Sequence, residues 1–322
     1  MTNDNNNQPL PQILICMATY NGERYLEQQL ESLCRQTCQD FLLFVHDDGS
    51  TDNTGDILKA WERSDKLNMV VLDDGLCFHA SSKNFVHLLS QAEKRWGEFP
   101  YYMFCDQDDI WKDDKIAVTL KRMKKAEKKY KQPILVHTDL EVVDSDLHSI
   151  APSYLKYRSI NPCIKKLNRL LIQNNVTGCT MMWNQKLNQV LNWKNVKPAM
   201  HDWWITLIAS LFGQIVFLDR TTILYRQHED NVVGATKVKS ISFVIHRLSN
   251  LQCVRMKFRQ AVQQAGDLLK IYGPTCDKEE KMLLRQFSRL YDVNKFKRTY
   301  LVVKYKFFKQ SLIQIIGELL FI

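Results

Sequence analysis

The segment FLLFVHDDGSTDNTGDILKAWER, residues 41–63, contains the pattern on which the fold prediction rests. Residues 41–45 are all apolar, which is typical of a strand buried on both faces, and the polar residues 47–50 end that strand. Thr51 and Asp52 then begin an amphipathic helix, because side chains of these types can cap a first helical turn. The segment is therefore predicted to form a strand, a polar turn and a helix in direct succession.

The same succession recurs on both sides of that segment. Further strands are predicted at residues 13–17, 69–72, 101–105 and 134–136, and further helices at residues 23–36, 84–95 and 113–130. Strands that alternate with helices require crossover connections, so the sheet is expected to be largely parallel. In such a sheet, ligands bind beyond the carboxyl ends of the strands.

After about residue 144 the pattern is less regular. The elements predicted there are a strand at 178–183, a buried helix at 201–212, strands at 215–218 and 222–225, and mainly helical structure from residue 236 onward. We therefore predict three parts in the chain: a flexible N-terminus (1–12), an α/β domain (13–234) and a basic, amphipathic helical region (235–322).

The composition is that of an ordinary globular protein with an uneven charge distribution. Of the 322 residues, 45% are hydrophobic and 25% are charged, which excludes a wholly disordered, a collagen-like or a polytopic membrane protein. The net charge is +9, but the first 234 residues hold 27 Lys and Arg against 29 Asp and Glu. The last 88 residues hold 17 against 6, so an anionic partner is expected at this end of the chain.

Neither an export signal nor a disulfide framework is visible. The Asn-rich start lacks the basic and apolar parts of a secretory signal, and no uncharged apolar run reaches the length of a membrane span. The nine cysteines include no C-x-x-C pair, so we expect free thiols in a reducing cytoplasm and no zinc site built on cysteine pairs.

Three polar clusters follow strands that are expected to be neighbours. Residues 19–23 follow the first strand, residues 47–50 the second and residues 106–108 the fourth. Any one of them is compatible with an ordinary strand-to-helix turn. Three clusters at the ligand-binding edge of one sheet indicate a binding site.

The residue types in these clusters suit a nucleotide with a diphosphate. Asp106 and Asp108 have the D-x-D spacing that can hold Mg²⁺ or Mn²⁺, and such a cation offsets diphosphate charge. Tyr20 offers a flat face to a base, and Asp48 can accept a hydrogen bond from a base N–H. The chain contains neither the G-x-G-x-x-G dinucleotide motif nor the P-loop motif.

Taken together, the motifs resemble those of the family 2 glycosyltransferases. The matching stretches are TYNG (19–22), DDGSTD (47–52), DQDDIW (106–111), TGCTMM (177–182), HDWW (201–204) and YRQHEDNVVG (225–234). The resemblance covers residues 13–234, about two-thirds of the chain. It implies the GT-A fold, in which helices flank a Rossmann-like, mostly parallel sheet, here with a helical C-terminal extension. DQDDIW, HDW and YRQH are most similar to the rhamnosyltransferases that build rhamnose-rich cell-wall polysaccharides in Gram-positive bacteria.

The resemblance implies a set of residues that bind the nucleotide-sugar donor. These residues are Thr19, Tyr20, Asn21, Glu23, Asp48, Lys83, Asn84, Asp106 and Arg226. Arg226 would pair with phosphate oxygens. For Lys83 and Asn84, the alternative interpretation is a solvated helix start.

The resemblance also implies a metal site and a catalytic base. Asp108 and His228 would hold Mg²⁺ or Mn²⁺, although His228 could instead contact phosphate directly. Asp202 matches the catalytic base, and the alternative is that it only caps the helix that follows. The family usually has a carboxylate where this chain has His201, a departure that also occurs in the rhamnosyl group.

The implied function is inverting, metal-dependent transfer of L-rhamnose from dTDP-β-L-rhamnose to a lipid-linked saccharide. Two alternatives remain open: a hexosyl or galactosyl transferase of the same family that uses a UDP-sugar, and a catalytically inactive sugar-nucleotide-binding scaffold. Because the basic surplus lies outside the catalytic domain, no nucleic acid partner is expected. Instead, residues 235–322 are expected either to lie on the anionic inner face of the cell membrane, as a peripheral protein would, or to pack on the catalytic domain.

Overall fold

The computed structural model describes residues 10–228, 251–311 and 313–315. Most of the predicted N-terminus, the predicted boundary at residue 234 and most of the apolar C-terminal end lie outside these ranges. None of the helices within them combines the length and the hydropathy that crossing a bilayer requires.

Strands and helices alternate through the first half of the chain. The described strands are β1 (Ile13–Thr19), β2 (Phe41–Asp47), β3 (Met69–Leu72), β4 (Tyr101–Asp106), β5 (Ile110–Trp111), β6 (Ile134–Val143), β7 (Ser149–Ala151), β8 (Met181–Asn184) and β9 (Gln214–Arg226). The described α-helices are α1 (Leu26–Cys34), α2 (Thr54–Arg63), α3 (Ser81–Trp96), α4 (Lys115–Tyr130), α5 (Tyr154–Tyr157), α6 (Leu167–Leu170), α7 (Gln185–Val190), α8 (His201–Phe212), α9 (Leu251–Tyr272), α10 (Lys278–Ser288) and α11 (Lys295–Lys304).

One mixed sheet has the strand order β3-β2-β1-β4-β8-β6-β9-β5, with β7 paired to β6. Strands β3, β2, β1 and β4 are parallel, as predicted, so the three polar clusters do meet at one edge. In the other half, β6 and β9 are again parallel to each other and run in the direction of β4, so the prediction of a largely parallel sheet is confirmed. The exceptions are β5 and β7, which are antiparallel to their partners, and β8, which runs antiparallel to both β4 and β6. Between β6 and β8 the helices α5 and α6 have only four residues each, too few to carry the chain back across the sheet.

The two strands predicted at 215–218 and 222–225 are parts of one long strand, β9. Polar residues interrupt the apolar pattern at Asp219 and Arg220, which are exposed where the register with β6 shifts. An irregularity of this kind bends a strand without ending it. The continuous strand carries its last residue, Arg226, to the edge where β4 ends.

The sheet is covered on both faces, as the uninterrupted apolar strands predict. Within β1, Leu14 and Cys16 belong to one hydrophobic cluster, whereas Ile13, Ile15 and Met17 belong to the other. Helices α3 and α8 lie on the first face, and α1, α2 and α4 lie on the second. Burying one apolar side chain of the size of leucine or isoleucine stabilises the folded protein by about 1.5–3 kcal/mol. The two clusters therefore hold the strands, and with them the loops at the strand ends, in fixed positions.

The described C-terminal helices pack on the same face as α8 and share its core. The Tyr272 hydroxyl donates to the carbonyl oxygen of Val190 at 2.7 Å and accepts from the backbone N–H of Asn192 at 2.9 Å. Gln264, fully buried on α9, accepts from the backbone N–H of Ala199 at 3.1 Å. This part of the chain is therefore helical as predicted, and it is built onto the α/β domain.

Candidate active site

Gln107 joins the loop after β1 to the loop after β4. The backbone N–H of Tyr20 donates to Gln107 Oε1 at 2.8 Å, and Gln107 Nε2 donates to the carbonyl oxygen of Tyr20 at 2.9 Å. A Cβ atom on Gly22 would lie 2.5 Å from the same Oε1, so any other residue there would displace the Gln107 amide. The sequence had indicated only the two Asp residues of the D-x-D motif and missed Gln107, whose partners lie on another strand.

Asn21 and Glu23 hold the loop after β1 against the turn after β2. The backbone N–H of Asn21 donates to Ser50 Oγ at 2.8 Å, and Asn21 Oδ1 accepts from the backbone N–H of Thr51 at 2.9 Å. Glu23 Oε2 accepts from the backbone N–H and the side-chain amide of Asn53 at 2.9 and 2.8 Å. Their contacts within the chain thus shape the wall of the site.

Thr19 and Tyr20 differ in their access to a ligand. Thr19 is buried, and its hydroxyl donates to Asp47 Oδ1 at 2.8 Å. Thr19 can therefore position the turn after β2, but its side chain is not open to a ligand. The Tyr20 side chain is 50% exposed at the strand edge. Among the residues predicted from the loop after β1, Tyr20 therefore presents the surface on which a base can stack.

Asp48 anchors the loop between β3 and α3. Its carboxylate is buried and accepts hydrogen bonds from the backbone N–H groups of Phe78 and Ala80, the second at 3.1 Å. Gly49 has a φ of +84°, and a Cβ atom there would lie 2.6 Å from Cys77 Sγ in the same loop. The expectation that Asp48 receives a base N–H therefore does not fit its burial.

The side chains of Lys83 and Asn84 lie in different environments. Asn84 is fully buried and hydrogen-bonded to His46, with its Oδ1 2.7 Å from His46 Nδ1, so it does not face a ligand. Lys83 is exposed in the first turn of α3. The expectation of direct donor contact is thus incorrect for Asn84, and for Lys83 it stays a prediction.

Asp108 and His228 meet at the ends of β4 and β9. His228 Nε2 lies 2.8 Å from Asp108 Oδ2, and both side chains are largely buried. Burial and the nearby charges of Asp108 and Asp202 raise the pKa of Asp106 to about 7. Clustered carboxylates with an imidazole beside them are a donor set that fits Mg²⁺ or Mn²⁺, because a cation would offset this accumulation of buried negative charge.

Asp109 lies beneath the D-x-D loop, turned toward the protein interior. Its Oδ1 accepts from the backbone N–H of Arg226 at 3.3 Å, and one oxygen each of Asp106 and Asp109 lies within 4.8 Å of Cys179 Sγ. Burial raises the pKa of Asp109 well above its usual value, and burial likewise lowers the pKa of the neighbouring Lys115 to about 8. Asp106 and Asp109 lie in the DQDDIW motif and Cys179 lies in the TGCTMM motif, but neither motif indicated that these side chains meet inside the protein.

Arg226 supports the D-x-D loop from inside the protein, which corrects its predicted role as a phosphate ligand. The side chain is fully buried: Nε donates to the carbonyl oxygen of Asp108 at 3.0 Å, and Nη2 donates to Gln28 Oε1 at 2.6 Å. A third nitrogen donates to the carbonyl oxygen of Ser145, and the guanidinium carbon lies 4.4 Å from the ring centre of Tyr25. These contacts fix the backbone that carries Asp108.

Asp202 is the second residue of α8 and lies close enough to Asp106 for its charge to contribute to the raised pKa of that carboxyl. Its Oδ1 accepts from the backbone N–H of Trp203 at 2.6 Å. Burial raises the pKa of Asp202 to about 7, although N–H groups of Trp203 and Gly178 favour the ionised form. A Cβ atom on Gly178 would lie 3.0 Å from His201 Nε2, so glycine eases the close approach of the two segments. Asp202 thus combines a first-turn position with the pKa of a general base.

His201 differs from Asp202 in its surroundings. Its ring lies 4.6 Å from that of Phe85 and 4.8 Å from that of Phe104, and it is buried. Burial lowers the pKa of His201 to about 3, so the imidazole is neutral at physiological pH. A carboxylate would be costly in these apolar surroundings.

The chain is similar in sequence and in fold to known glycosyltransferases. Residues 14–191 match the profile described as "Glycosyl transferase family 2". The dTDP-rhamnosyl transferase RfbG of Shigella flexneri is 30% identical over 262 residues, which cover 79% of this chain and 84% of RfbG.

Two solved structures share the fold. TarS 1-349 of S. aureus, in complex with UDP-GlcNAc, superposes with a TM-score of 0.54 at 19% identity, covering 90% of this chain and 83% of TarS 1-349. The mannosyltransferase PcManGT of Pyrobaculum calidifontis, in complex with GDP-Man and Mn²⁺, superposes with a TM-score of 0.56 at 13% identity, covering 92% of this chain and 73% of PcManGT. At sequence identities this low, the structural similarity shows the fold alone. It confirms the predicted GT-A architecture with helices in the C-terminal part.

Proposed function

The chain belongs to glycosyltransferase family 2, and we propose that it transfers L-rhamnose from dTDP-β-L-rhamnose, with inversion, to a lipid-linked saccharide. The family gives the reaction class. The similarity to RfbG, named a dTDP-rhamnosyl transferase, supports the choice of donor. The DQDDIW, HDW and YRQH segments support the same choice.

The observation that carries the proposal is the position of Asp202 relative to the D-x-D motif. Asp202 lies close enough to Asp106 for its charge to raise the pKa of that carboxyl, and its own pKa is about 7. A general base is most effective when its pKa lies near the operating pH. An inactive binding scaffold would have no need of a second, desolvated carboxylate opposite the first.

In the proposed reaction, Asp202 accepts the proton of the acceptor hydroxyl. The hydroxyl oxygen attacks the anomeric carbon from the face opposite the diphosphate, so a β-linked donor gives an α-linked product. The bond between the anomeric carbon and the diphosphate oxygen breaks with its electron pair, and dTDP leaves. Positive charge for the leaving diphosphate would come from Mg²⁺ or Mn²⁺, for which Asp108 and His228 are the proposed ligands.

The donor would be held by two exposed side chains and one partly buried carboxylate on a rigid wall. Tyr20 is proposed to stack on the base, Lys83 to approach the nucleotide and Asp106 to contact the sugar or the nucleotide. The remaining predicted donor residues are proposed to act by positioning: Thr19, Asn21, Glu23, Asp48, Asn84 and Arg226. Such a division fits the slightly acidic catalytic part, because a placed cation, not a basic surface, would neutralise the diphosphate.

The outer face of α11 supports an anionic membrane surface as a partner. Phe296 is 89% exposed, and Tyr300 and Val303 follow it on the same side of the helix at spacings of four and three residues. The exposed lysines around this stripe are Lys295, Lys297, Lys304 and Lys306. Apolar residues flanked by lysines suit a helix that lies on anionic lipid. We place the protein at the cytoplasmic face of the membrane, where a lipid-linked acceptor would be within reach.

A donor panel tests the proposed function. Nucleoside diphosphate release would be measured from dTDP-rhamnose, UDP-galactose, UDP-glucose and UDP-GlcNAc, each with and without a lipid-linked saccharide. We expect acceptor-dependent release from dTDP-rhamnose above all others. If the nucleoside diphosphate is released preferentially from a UDP-sugar, the proposal of rhamnose transfer is wrong and hexosyl transfer takes its place. If no donor gives any release, the alternative of an inactive sugar-nucleotide-binding scaffold is supported.

A further inference from the structure

A second group of potential metal ligands lies outside the catalytic centre. His46 is in β2, Asp74 is in the loop after β3 and His87 is in the second turn of α3. His46 Nε2 is 3.2 Å from Asp74 Oδ1, and His87 Nε2 is 2.6 Å from Asp74 Oδ2. The side chains are 2%, 25% and 12% exposed, in the order His46, Asp74 and His87. The three ligand atoms thus lie within 4.8 Å of one another, with the two histidines on the buried side and Asp74 on the solvent side.

The hydrogen bonds of His46 fix the position of one ring proton. Asn84 Nδ2 donates to the carbonyl oxygen of His46 at 3.2 Å, so the other amide atom, Oδ1, is the one that faces His46 Nδ1 at 2.7 Å. An amide oxygen can only accept, so Nδ1 carries a proton. His46 Nε2 lies 3.2 Å from the carboxylate of Asp74, so either a second ring proton or a metal cation must lie between these two atoms.

The surrounding contacts are those that support metal ligands. A ligating histidine commonly donates its other ring N–H to an oxygen, as His46 does to Asn84. Asp74 Oδ1 also accepts the backbone N–H of Leu76 at 3.1 Å, which orients the carboxylate. The Phe78 ring lies 4.8 Å from the ring of His87 and 5.8 Å from that of His46, and it covers the group on one side.

We propose that His46, Asp74 and His87 form a zinc site that is separate from the donor metal site. Two imidazole nitrogens and one carboxylate suit Zn²⁺, whereas Mg²⁺ prefers a ligand set made mainly of oxygens. With bonds of about 2.0–2.1 Å, two ligands of a tetrahedral zinc ion lie about 3.3 Å apart. The observed 3.2 Å between His46 Nε2 and Asp74 Oδ1 fits this geometry. The distance of 2.6 Å between His87 Nε2 and Asp74 Oδ2 is shorter, and a small rotation of the more exposed Asp74 side chain would lengthen it. Water would take the fourth position on the side open to solvent.

Such an ion would fasten the loop that borders the donor site. Asp74, Leu76, Phe78 and Ala80 all lie in the loop between β3 and α3, and Asp48 already holds its far end through two backbone N–H groups. Zinc at Asp74 would tie the near end to β2 and to α3. The loop would then be fixed at both ends, which stabilises the folded protein when zinc is bound.

Zinc stoichiometry tests the proposal in the 322-residue chain without a histidine tag. The protein would be freed of metal with a chelator, exposed to a small excess of ZnCl₂, desalted and analysed by elemental mass spectrometry. We expect one zinc ion per chain in the wild type and none in His87→Gln. The control His148→Gln, from the exposed group Asp144, Asp146 and His148, should retain one. Equal zinc in His87→Gln and in the wild type would overturn the proposal, as would loss of zinc in the control.

Further measurements distinguish this zinc site from the donor metal site and from a shared proton. Asp108→Asn, which alters the donor metal site, should leave zinc uptake unchanged, and millimolar Mg²⁺ should not displace the ion. Added Zn²⁺ should raise the Tm of the wild type by several degrees and leave that of His87→Gln unchanged, with circular dichroism confirming that the variant is folded. X-ray absorption at the zinc edge should report two imidazole ligands. No uptake by folded wild type would show that a shared proton, not a metal, joins the three groups.

Discussion

Asp202 and His201 are adjacent in sequence but have different chemical capacities. Burial raises the pKa of the Asp202 carboxyl to about 7, which makes it a competent base near neutral pH. Burial lowers the pKa of His201 to about 3 and leaves that side chain as a neutral packing group between two phenylalanine rings. The single carboxylate therefore carries the proposed proton transfer.

Replacing Asp202 with Asn should separate chemistry from binding. Asp202→Asn removes the proton acceptor but keeps the size and the hydrogen bond from the Trp203 N–H, so transfer should fall by about 10²–10⁴-fold. Donor affinity, measured by calorimetry with the nucleotide-sugar, should change less than about threefold. Transfer at the wild-type rate would contradict the assignment. His201→Gln, the matched neighbour, should retain most of the activity if it folds.

The pH dependence should show the titration of Asp202. Its pKa is raised by burial to about 7, so below that pH the carboxyl is protonated and cannot accept the acceptor proton. At saturating metal, which suppresses protonation of Asp106, kcat/KM should rise about tenfold per pH unit up to pH 7 and level off above it. A profile that is flat from pH 5.5 to 8, or that falls over this range, would argue against Asp202 as the base.

Removal of divalent metal should stop transfer. Asp108 and His228 are held together at 2.8 Å, and without a cation the clustered carboxylates should repel a diphosphate. Chelation should abolish activity, and Mg²⁺ or Mn²⁺ alone should restore it, which distinguishes this site from one that needs zinc. Asp108→Asn should lower activity by at least 100-fold, whereas the exposed Asp146→Asn should not. Full activity in chelator would refute the metal role.

Among the secondary-structure elements, the end of β9 determines the geometry of the D-x-D loop. This strand delivers the Arg226 guanidinium to the carbonyl oxygen of Asp108 and the His228 ring to the Asp108 carboxylate. Without β9, that loop would be held only by its own turn and by the hydrogen bonds between Gln107 and Tyr20. The pairing of β9 with β5 and β6 therefore positions residues that are far apart in the chain.

Arg226→Lys should weaken both the fold and the metal site. Lysine cannot reproduce the planar set of donors that contacts Asp108, Ser145 and Gln28, and the acceptors would remain buried. We expect unfolding free energy to fall by about 2–4 kcal/mol in urea titrations, together with a higher metal requirement for activity. Arg220→Lys, an exposed pair with Asp114, should change stability by less than about 0.5 kcal/mol. Equal effects of the two substitutions would contradict the proposed support of the loop.

Across the whole molecule, the surplus of basic residues and the catalytic centre are separated. The last 88 residues carry 17 Lys and Arg against 6 Asp and Glu, and their described helices pack against the face of the sheet that α3 and α8 cover. The catalytic edge contains mainly acidic and neutral groups. The arrangement suits an enzyme that lies on an anionic surface through one region and binds its donor in another.

The apolar stripe of α11 provides a test of membrane association. Phe296→Ser combined with Tyr300→Ser removes two exposed aromatic side chains, so binding to vesicles that contain anionic lipid should fall about tenfold or more in co-sedimentation. Donor hydrolysis in solution should be unaffected. Met282→Ser, which removes an exposed apolar residue from α10, serves as the control. Undiminished binding by the double variant would remove α11 from the membrane proposal.

Local patterns in the chain were enough to predict the α/β class, the largely parallel sheet and the edge at which ligands bind. An apolar run or an amphipathic repeat depends only on near neighbours in the chain, so it can be recognised without any knowledge of packing. The family, too, was visible from short motifs at the strand ends, and the profile match over residues 14–191 confirmed it.

Which motif residues face the site and which support it became visible only in three dimensions. Asp48, Asn84 and Arg226 had been assigned to the donor, but their side chains are buried and hydrogen-bonded within the chain. The reversed direction of β8 and the meeting of His46 with His87 were likewise invisible. Residue type and spacing indicate which chemistry a side chain can perform. The direction in which it points depends on partners from distant segments, and only packing brings those together.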